Sequence, residues 1–316
     1  MSIAPYIKEI GRGKDGARPL TADQAEDLMG QILDGNVTDL EIGAFCLAMR
    51  IKGETAEELK GFVKATIARC LTLVDCAQAA KAGIVVLPSY NGARKLPNLT
   101  ALLAQALAGQ GVSVLVHGPM QDPTRVTTAQ VFQAANMPIA TSAEDVQRAW
   151  ESGRPAFMAT EVLCPPLAKL LAVRWTIGLR NPGHTVAKLL DPFAAGHVPS
   201  MRVVNHTHPE YAHSLTDFLA LTQANALLMR GTEGEPVADA RRQPKFDVFL
   251  GGQRQAELSR ATQEGVLTSL PQLPETSSPD DTARYIASIA SGQTALPESI
   301  GAQASCLVAA LQAISS

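Results

Sequence analysis

The chain has 316 residues, of which 46% are hydrophobic and 18% are charged, and its formal net charge is −3. This length and composition predict a soluble protein of two domains, or of one large domain, with a substantial core. The sequence has no uninterrupted apolar run of the length that a membrane span requires, and its first ten residues lack the pattern of a signal peptide. We therefore expect a cytoplasmic protein.

The charge is unevenly distributed along the chain. Residues 1–20 contain four cations and two carboxylates, whereas residues 255–316 contain two cations and six carboxylates. The acidic C-terminal region hides the basic character of the remainder, so a local basic surface is compatible with the negative total. The five cysteines are odd in number and form no CxxC pair, which predicts reduced thiols.

The first 75 residues predict three or four short amphipathic helices. Thr21 followed by Gln24 is typical of a helix start, and that helix should end near Asp34. Further helices are expected from Thr38 or Asp39 to Lys52 and from Glu54 onwards. The glycines and cations of residues 11–18 predict a mobile basic loop. We expect a helical domain over residues 1–75.

From residue 83 onwards, apolar runs alternate with helical patterns, which predicts an α/β domain over residues 76–316 with a mainly parallel sheet. Hinge helices at about residues 164–190 should connect it to the helical domain. Asp122-Pro123 predicts a helix start, with the helix over residues 124–136. The expected strands are residues 84–87, 112–116, 156–159, 226–229 and 247–250.

Residues 83–100 predict a buried strand, a glycine-containing turn and a helix start. The strand breaks at Pro88, the turn is Ser89-Tyr90-Asn91-Gly92, and Asn98 and Thr100 precede an Ala/Leu-rich run. Backbone N–H groups and the positive end of a helix dipole at the carboxyl edge of a sheet suit an anion. An ordinary strand-to-helix connection is the alternative.

This order of elements resembles the anthranilate phosphoribosyltransferase superfamily (glycosyltransferase family 3) over nearly the whole chain. Several strings more narrowly resemble the YbiB family, its TrpD-like, non-biosynthetic branch. They are Ile-Lys-Glu-Ile-Gly-Arg-Gly-Lys at 7–14, Pro-Ser-Tyr-Asn-Gly-Ala-Arg-Lys at 88–95, Val-His-Gly at 116–118 with Asp-Pro-Thr-Arg at 122–125, and Arg-Gly-Thr-Glu-Gly-Glu at 230–235. The resemblance implies a nucleoside-phosphorylase-type-II fold, a homodimer formed through the helical domain, and DNA binding.

The departures from the enzyme concern its phosphate and metal groups. The family's Gly-Thr-Gly-Gly-Asp loop is replaced by residues 89–93, and its metal-binding Asp-Glu pair falls on Pro236-Val237. The family's substrate-side histidine is replaced by Cys164. Without that pair, Mg²⁺ has no evident carboxylates through which to neutralise a departing pyrophosphate. Glu233 and Glu235 could substitute from shifted positions, so enzymatic activity is uncertain, with the sequence favouring its absence.

The cations that remain predict a groove that binds DNA, and RNA as a further candidate, with little sequence preference. Tyr6, Tyr90 and Trp175 are candidates for stacking on bases. The expected nucleic-acid-binding residues are Lys8, Arg12, Lys14, Arg18, Arg94, Lys95, Arg125, Arg174, Arg180 and Lys188. A pocket for an anion is expected at Ser89, Asn91, Gly92, Asn98, Thr100 and His117.

No catalytic residue, resident cofactor or metal is expected under this reading. The alternative is a glycosyltransferase or phosphorylase acting on a phosphorylated ribose, which would require Mg²⁺ and phosphoribosyl pyrophosphate. It is favoured by the retained Asn98, Thr100, His117 and Arg180. The closely spaced His206, His208 and His213 lack supporting carboxylates or cysteines, so they predict a polar loop and not a metal site.

Overall fold

The computed structural model describes residues 2–266 and 270–315, except for the side chain of Lys14. The N-terminal part is helical, as predicted. One helical turn occupies part of the expected mobile basic loop, so that prediction was wrong there. The helices are α1 (Ala4–Ile10), α2 (Gly13–Gly16), α3 (Ala22–Leu33), α4 (Asp39–Lys52) and α5 (Ala56–Ile67).

Helices α3, α4 and α5 begin in the same way. Thr21, Thr38 and Thr55 each accept a hydrogen bond from the backbone N–H three residues later, and the Gln or Glu at that position bonds back. Each such capping box satisfies two backbone groups that a helix start would otherwise leave unpaired. The local sequence therefore determines where these helices start.

An eight-stranded sheet forms the centre of the larger part, in the order β3-β4-β2-β1-β5-β6-β7-β8. The six strands from β1 to β6 are parallel, and β7 and β8 are antiparallel. The predicted α/β class with a mainly parallel sheet is confirmed. The strands are β1 (Ile84–Pro88), β2 (Ser113–Gly118), β3 (Ile139–Ala140), β4 (Ala156–Ala159), β5 (Ser200–His206), β6 (Ala226–Arg230), β7 (Phe246–Leu250) and β8 (Gln253–Arg254).

Ten α-helices and one short 3₁₀ helix (Asp75–Ala79) complete the part of the chain that the structure describes. The α-helices are α6 (Thr100–Ala108), α7 (Thr128–Ala134), α8 (Ala143–Glu151), α9 (Thr160–Leu163), α10 (Pro165–Ala172), α11 (Arg174–Ile177), α12 (Pro182–Ala187), α13 (Tyr211–Leu221), α14 (Pro279–Ala290) and α15 (Glu298–Ser315). Within the described ranges, no helix is long and apolar enough to cross a membrane.

The core connects the helical part to the sheet. Phe45 and Phe62 meet edge to face, with ring centroids 5.9 Å apart. The same cluster of buried side chains includes Leu167 of α10, Val186 of α12 and Phe218 of α13. Burial of each such side chain contributes roughly 1.5–3 kcal/mol. Helices α10 and α12 thus hold the helical part against the carboxyl edge of the sheet. The domain limits at residues 75 and 76 remain predictions.

The predicted start of the helix after β2 was wrong. Helix α7 begins at Thr128, after an N-cap at Thr127, and not at residue 124. The side chain of Asp122 accepts a hydrogen bond from the N–H of Thr124, so Asp122-Pro123 forms a turn. Arg125 accordingly lies in a loop and does not open a helix.

Strand β5 and helix α13 were not predicted, because Arg202 interrupts the apolar run and the histidines resemble a loop. Arg202 is nevertheless buried, and its guanidinium donates to the carbonyl of Leu189. A buried cation with a backbone acceptor is compatible with a central strand. His206 ends β5 and His213 lies within α13, so the polar-loop assignment for these residues was wrong.

Candidate functional site

Loops from several parallel strands converge at the carboxyl edge of the sheet. One is the turn after β1, residues 89–96, which we call the anion turn. Another is the connection after β6, residues 231–235, which we call the carboxylate loop. Because parallel strands all end at the same edge, the two loops lie side by side there, where α/β proteins commonly bind ligands.

Five of the six residues predicted to form an anion pocket do converge on one point. That point is occupied by the carboxylate of Glu235, which is 1% exposed. Its Oε1 accepts hydrogen bonds from the backbone N–H groups of Asn91 and Gly92, both at 2.8 Å. Its Oε2 is surrounded by side-chain donors. These are the hydroxyls of Ser89, Thr100 (3.4 Å) and Thr128 (3.2 Å) and the Nδ2 of Asn98 (3.5 Å).

The sixth predicted pocket residue, His117, lies elsewhere. It is fully buried, and its Nδ1 forms a 2.9 Å hydrogen bond with the hydroxyl of Tyr90. Burial lowers the pKa of His117 to about 4, so the ring is neutral at pH 7 and supplies no charge for an anion. Tyr90 is itself buried, so it is not available for stacking on a base. Tyr6 donates its hydroxyl to Asp27 at 2.6 Å.

A second carboxylate is held beside the first. Glu233 accepts hydrogen bonds from the backbone N–H groups of Arg94 (2.8 Å), Lys95 (3.0 Å) and Leu96 (3.2 Å). Burial acts to raise the pKa of Glu233, but these backbone donors prevail and the pKa is lowered. Both carboxylates of the carboxylate loop therefore serve as acceptors for the anion turn.

Three cations pack against the two loops. Arg125 donates to the carbonyl of Gly92 at 3.2 Å, and Arg180 donates to Oδ1 of Asn91 at 2.8 Å. The Nζ of Lys188 lies 3.3 Å from the carbonyl of Gly234. Burial, and then the neighbouring positive charge of Arg180, lower the pKa of Lys188 to about 8. The pKa of Arg180 is also lowered, first by burial and then by Arg174 and Arg125, so these groups share one electrostatic environment.

The outer members of the group are more accessible. Arg94 and Lys95 are exposed at the end of the anion turn. Arg174 pairs with Asp122 at 3.5 Å and stacks on Trp175, whose side chain is 55% exposed. The structure thus brings six of the ten predicted nucleic-acid-binding residues together. We call them the basic cluster: Arg94, Lys95, Arg125, Arg174, Arg180 and Lys188.

The predicted N-terminal cations belong to a different part of the surface. Lys8, Arg12 and Arg18 are exposed, and their segment packs against α4 through α1 and α2. Arg12 pairs with Glu9 at 2.7 Å, which reduces its availability to a ligand. The side chain of Lys14 lies outside the described part of the chain.

A cavity of about 390 Å³ adjoins the basic cluster, between α4, α12, the end of β5 and α13. Its lining includes Arg180, Lys188, His184 and His206. Burial, and then the charge of Arg180, lower the pKa of His184 to about 3. The sequence pattern did not identify His184 or Thr128 as site residues, and it singled out Glu235 only as a candidate metal ligand. The Asn181-Pro-Gly-His184 capping box is the local signal that places His184 here.

Comparison with known proteins assigns the family. Residues 4–70 match the domain described as "Glycosyl transferase family, helical bundle domain", and residues 91–316 match "Glycosyl transferase family, a/b domain". The chain belongs to this glycosyl transferase family. It is 40% identical to "Uncharacterized protein YbiB" of Escherichia coli K12, over 98% of this chain and 94% of that protein. The predicted YbiB-type relationship is therefore confirmed.

Solved structures of the glycosyl transferase family show the same fold. Anthranilate phosphoribosyltransferase of Saccharomyces cerevisiae in complex with PRPP and Mg superposes with a TM-score of 0.71 and 16% identity, covering 98% of this chain and 89% of that chain. The enzyme of Thermus thermophilus gives a TM-score of 0.66 and 17% identity, covering 98% and 97%. At these sequence identities, the similarity shows a shared fold and does not by itself assign an activity.

The residues of this glycosyl transferase family member do not fit Mg²⁺ and a pyrophosphate group. Pro236 and Val237 have no ligating side chain. The oxygens of Glu233 and Glu235 already accept hydrogen bonds from protein donors. Within the described residues, no group of three His, Cys, Asp or Glu side chains could hold a metal.

Proposed function

We propose that the chain binds nucleic acid non-specifically, as a homodimer, through the basic cluster. The observation that carries the proposal is the convergence of six cations at one edge of the sheet, in a chain whose net charge is −3. The carboxylates among them are those of Asp122, Glu233 and Glu235. The basic cluster therefore keeps a positive excess where the loops meet.

The chemistry of the basic cluster suits a phosphate backbone. Arg94 and Lys95 are exposed, and Glu233 fixes their backbone through their N–H groups, so both side chains are free to extend from a rigid turn. Cations presented in this way release condensed counterions from a polyanion and discriminate little between sequences. The partly buried Arg125 and Arg180 hold the turn in place and add to the local potential.

An aromatic side chain beside the basic cluster supports binding of single strands. Trp175 is exposed and lies next to Arg174 on α11. Stacking on aromatic rings contributes to single-strand binding for any base, because every base has a π-face. A polymer whose phosphates follow the basic cluster could therefore place a base against this indole.

The proposed homodimer would form through α4. Leu40, Leu47 and Ile51 are 84%, 50% and 55% exposed, and their spacing puts them on one face of the helix. A row of exposed large apolar side chains is typical of a protein interface. A second copy of the chain is the proposed occupant, because the family resemblance implies dimerisation through the helical domain. Such a dimer would present two basic clusters to one polymer.

The geometry favours nucleic acid over the transferase alternative. Asn98 and Thr100, whose retention favours the transferase alternative, face the carboxylate of Glu235. Arg180 is engaged with Asn91. The residues that support the alternative are thus committed to contacts within the protein, whereas Arg94 and Lys95 are exposed.

Fluorescence anisotropy with labelled single- and double-stranded oligonucleotides tests the proposal. With ~6–10 phosphate contacts per dimer, affinity should fall ~10³–10⁵-fold between about 50 and 200 mM salt. Absence of binding at about 50 mM salt would contradict the proposal. Calorimetry with phosphoribosyl pyrophosphate and Mg²⁺ tests the alternative, because tight metal-dependent binding would favour a transferase.

A further inference from the structure

The environment of Glu235 is that of a bound oxyanion. Two consecutive backbone N–H groups, of Asn91 and Gly92, point at one carboxylate oxygen. Three hydroxyls and an amide surround the other oxygen. Successive N–H groups in a turn and hydroxyls near a helix start are the donors that proteins use for phosphate. In this chain the acceptor is a side chain from a loop more than a hundred residues away.

The backbone conformation of the carboxylate loop places the side chain of Glu235 against the anion turn. Glu233 has a φ of +52° and Gly234 a φ of +86°, so two successive residues adopt the left-handed region. A Cβ on Gly234 would lie 1.6 Å from Nδ2 of Asn91. A glycine at this position avoids that clash. The same Nδ2 donates to the carbonyl of Glu233 at 3.0 Å. The loop is therefore fitted closely against the anion turn.

We propose that Glu235 is an internal oxyanion that permanently occupies the anion turn and closes it to phosphate and pyrophosphate. A ligand phosphate would have to displace a buried carboxylate from six donors, or approach it against like-charge repulsion. The donors of the anion turn can still bind a tetrahedral oxyanion. In the native protein they bind Glu235 instead, and this contact connects the loop after β1 to the loop after β6. The site becomes available only when the carboxylate is removed.

Glu235→Ala provides the direct test, with thermal denaturation as the readout. Removing the carboxylate leaves buried donors unpaired, so the variant should melt below the wild type. Phosphate or pyrophosphate should then raise its melting temperature saturably, by about 4 °C near 100 times Kd. Chloride at equal ionic strength should not have this effect. A folded Glu235→Ala protein that shows no oxyanion-specific stabilisation overturns the proposal.

Glu235→Gln is the matched control, because its amide fills the same space and can still pair with the backbone N–H groups and the hydroxyls. We expect it to melt between the wild type and Glu235→Ala, and to gain no stability from phosphate. Oxyanion-specific stabilisation of the Gln variant equal to that of the Ala variant would show that the carboxylate does not close the site.

Hydrogen exchange on the wild type tests the proposal without any variant that has to fold. The amides of Asn91 and Gly92 should be strongly protected in the free protein, because Glu235 already accepts from both. Pyrophosphate should leave their protection unchanged. A pyrophosphate-dependent rise in protection at these two amides would show that the native turn is open, and would overturn the proposal.

Discussion

The guanidinium of Arg174 lies over the indole of Trp175, 4.1 Å from the ring centroid. The same guanidinium pairs with Asp122, in the loop that precedes α7. Helix α11 is thereby tied to the carboxyl edge of the sheet while the indole remains 55% exposed. The arrangement holds a large aromatic surface next to the basic cluster, and exposed aromatic rings beside cations are the combination found in single-strand binding sites.

Trp175→Ala should weaken binding of single-stranded DNA more than binding of duplex. Loss of one stacked base costs ~1–3 kcal/mol, which corresponds to about a 5- to 150-fold loss of affinity. Duplex affinity should change much less, because its bases are already stacked on each other. Anisotropy titrations at a fixed salt concentration measure both values.

Trp175→Phe is the control for this prediction, since it retains an aromatic face and should recover most of the single-strand affinity. Intrinsic fluorescence gives an independent readout. The chain has two tryptophans, and Trp150 is buried with its Nε1 donating to the carbonyl of Val114 at 3.0 Å. Quenching by single strands should therefore come from Trp175. Equal losses for single strands and duplex after Trp175→Ala would contradict a stacking role.

The double variant Arg94→Ala/Lys95→Ala should reduce the salt dependence of DNA binding. Each lost phosphate contact lowers the slope of log K against log salt by about 0.7–0.9, so a dimer that loses the pair from both basic clusters should have a slope lower by about 3. The affinity loss should be similar for unrelated sequences, because phosphate contacts carry no sequence information. Titrations at several salt concentrations measure the slope.

Lys81→Ala/Arg154→Ala is the matched control for charge. Both residues are exposed and precede parallel strands, β1 and β4, so they lie at the amino edge of the sheet, opposite the basic cluster. This variant removes the same two charges and should leave the slope nearly unchanged. If both double variants lower the slope equally, binding depends on total charge and not on the basic cluster.

The sequence was sufficient for the class of fold and for the donors of the anion turn, but not for their acceptor. Capping boxes at Thr21, Thr38 and Thr55 are local signals, and so is the strand–turn–helix of residues 83–100. The contact between Asn91 and Glu235 spans 144 residues. No periodicity or spacing connects two such positions, because their proximity depends on the order of strands in the sheet.

Strand β5 illustrates a different difficulty. Its apolar run contains Arg202, and sequence patterns treat a cation as a sign of exposure. In the fold, Arg202 is buried and donates to the carbonyl of Leu189. The cation is compatible with the strand because of a partner that only the tertiary structure supplies.

Leu47→Glu should dissociate the proposed dimer without unfolding the protein. Leu47 is half-exposed on α4, so the monomer tolerates a carboxylate there, whereas an apolar interface would have to bury it. Size-exclusion chromatography with light scattering should give a dimer for the wild type and a monomer for the variant, with unchanged circular dichroism. Val74→Glu, at an exposed apolar residue outside α4, should remain dimeric. A wild type that is monomeric at micromolar concentration would contradict the dimer.

The buried His117 should make the protein sensitive to mild acid. Burial lowers its pKa from 6.5 to about 4, so between these pH values the unfolded chain binds a proton that the folded protein does not. Stability due to the neutral ring is therefore fully present above pH 6.5 and decreases as the pH falls towards 4. The loss attributable to this residue is on the order of 3 kcal/mol.

Urea denaturation at a series of pH values tests this dependence. His117→Gln keeps a polar group within reach of Tyr90 but does not titrate in this range. The slope of its unfolding free energy against pH should therefore be smaller than that of the wild type, by the equivalent of about one bound proton. The wild type and the variant should therefore converge in stability as the pH is lowered from 6.5 to 4. Parallel curves for the two proteins across this interval would show that His117 is already protonated in the folded state.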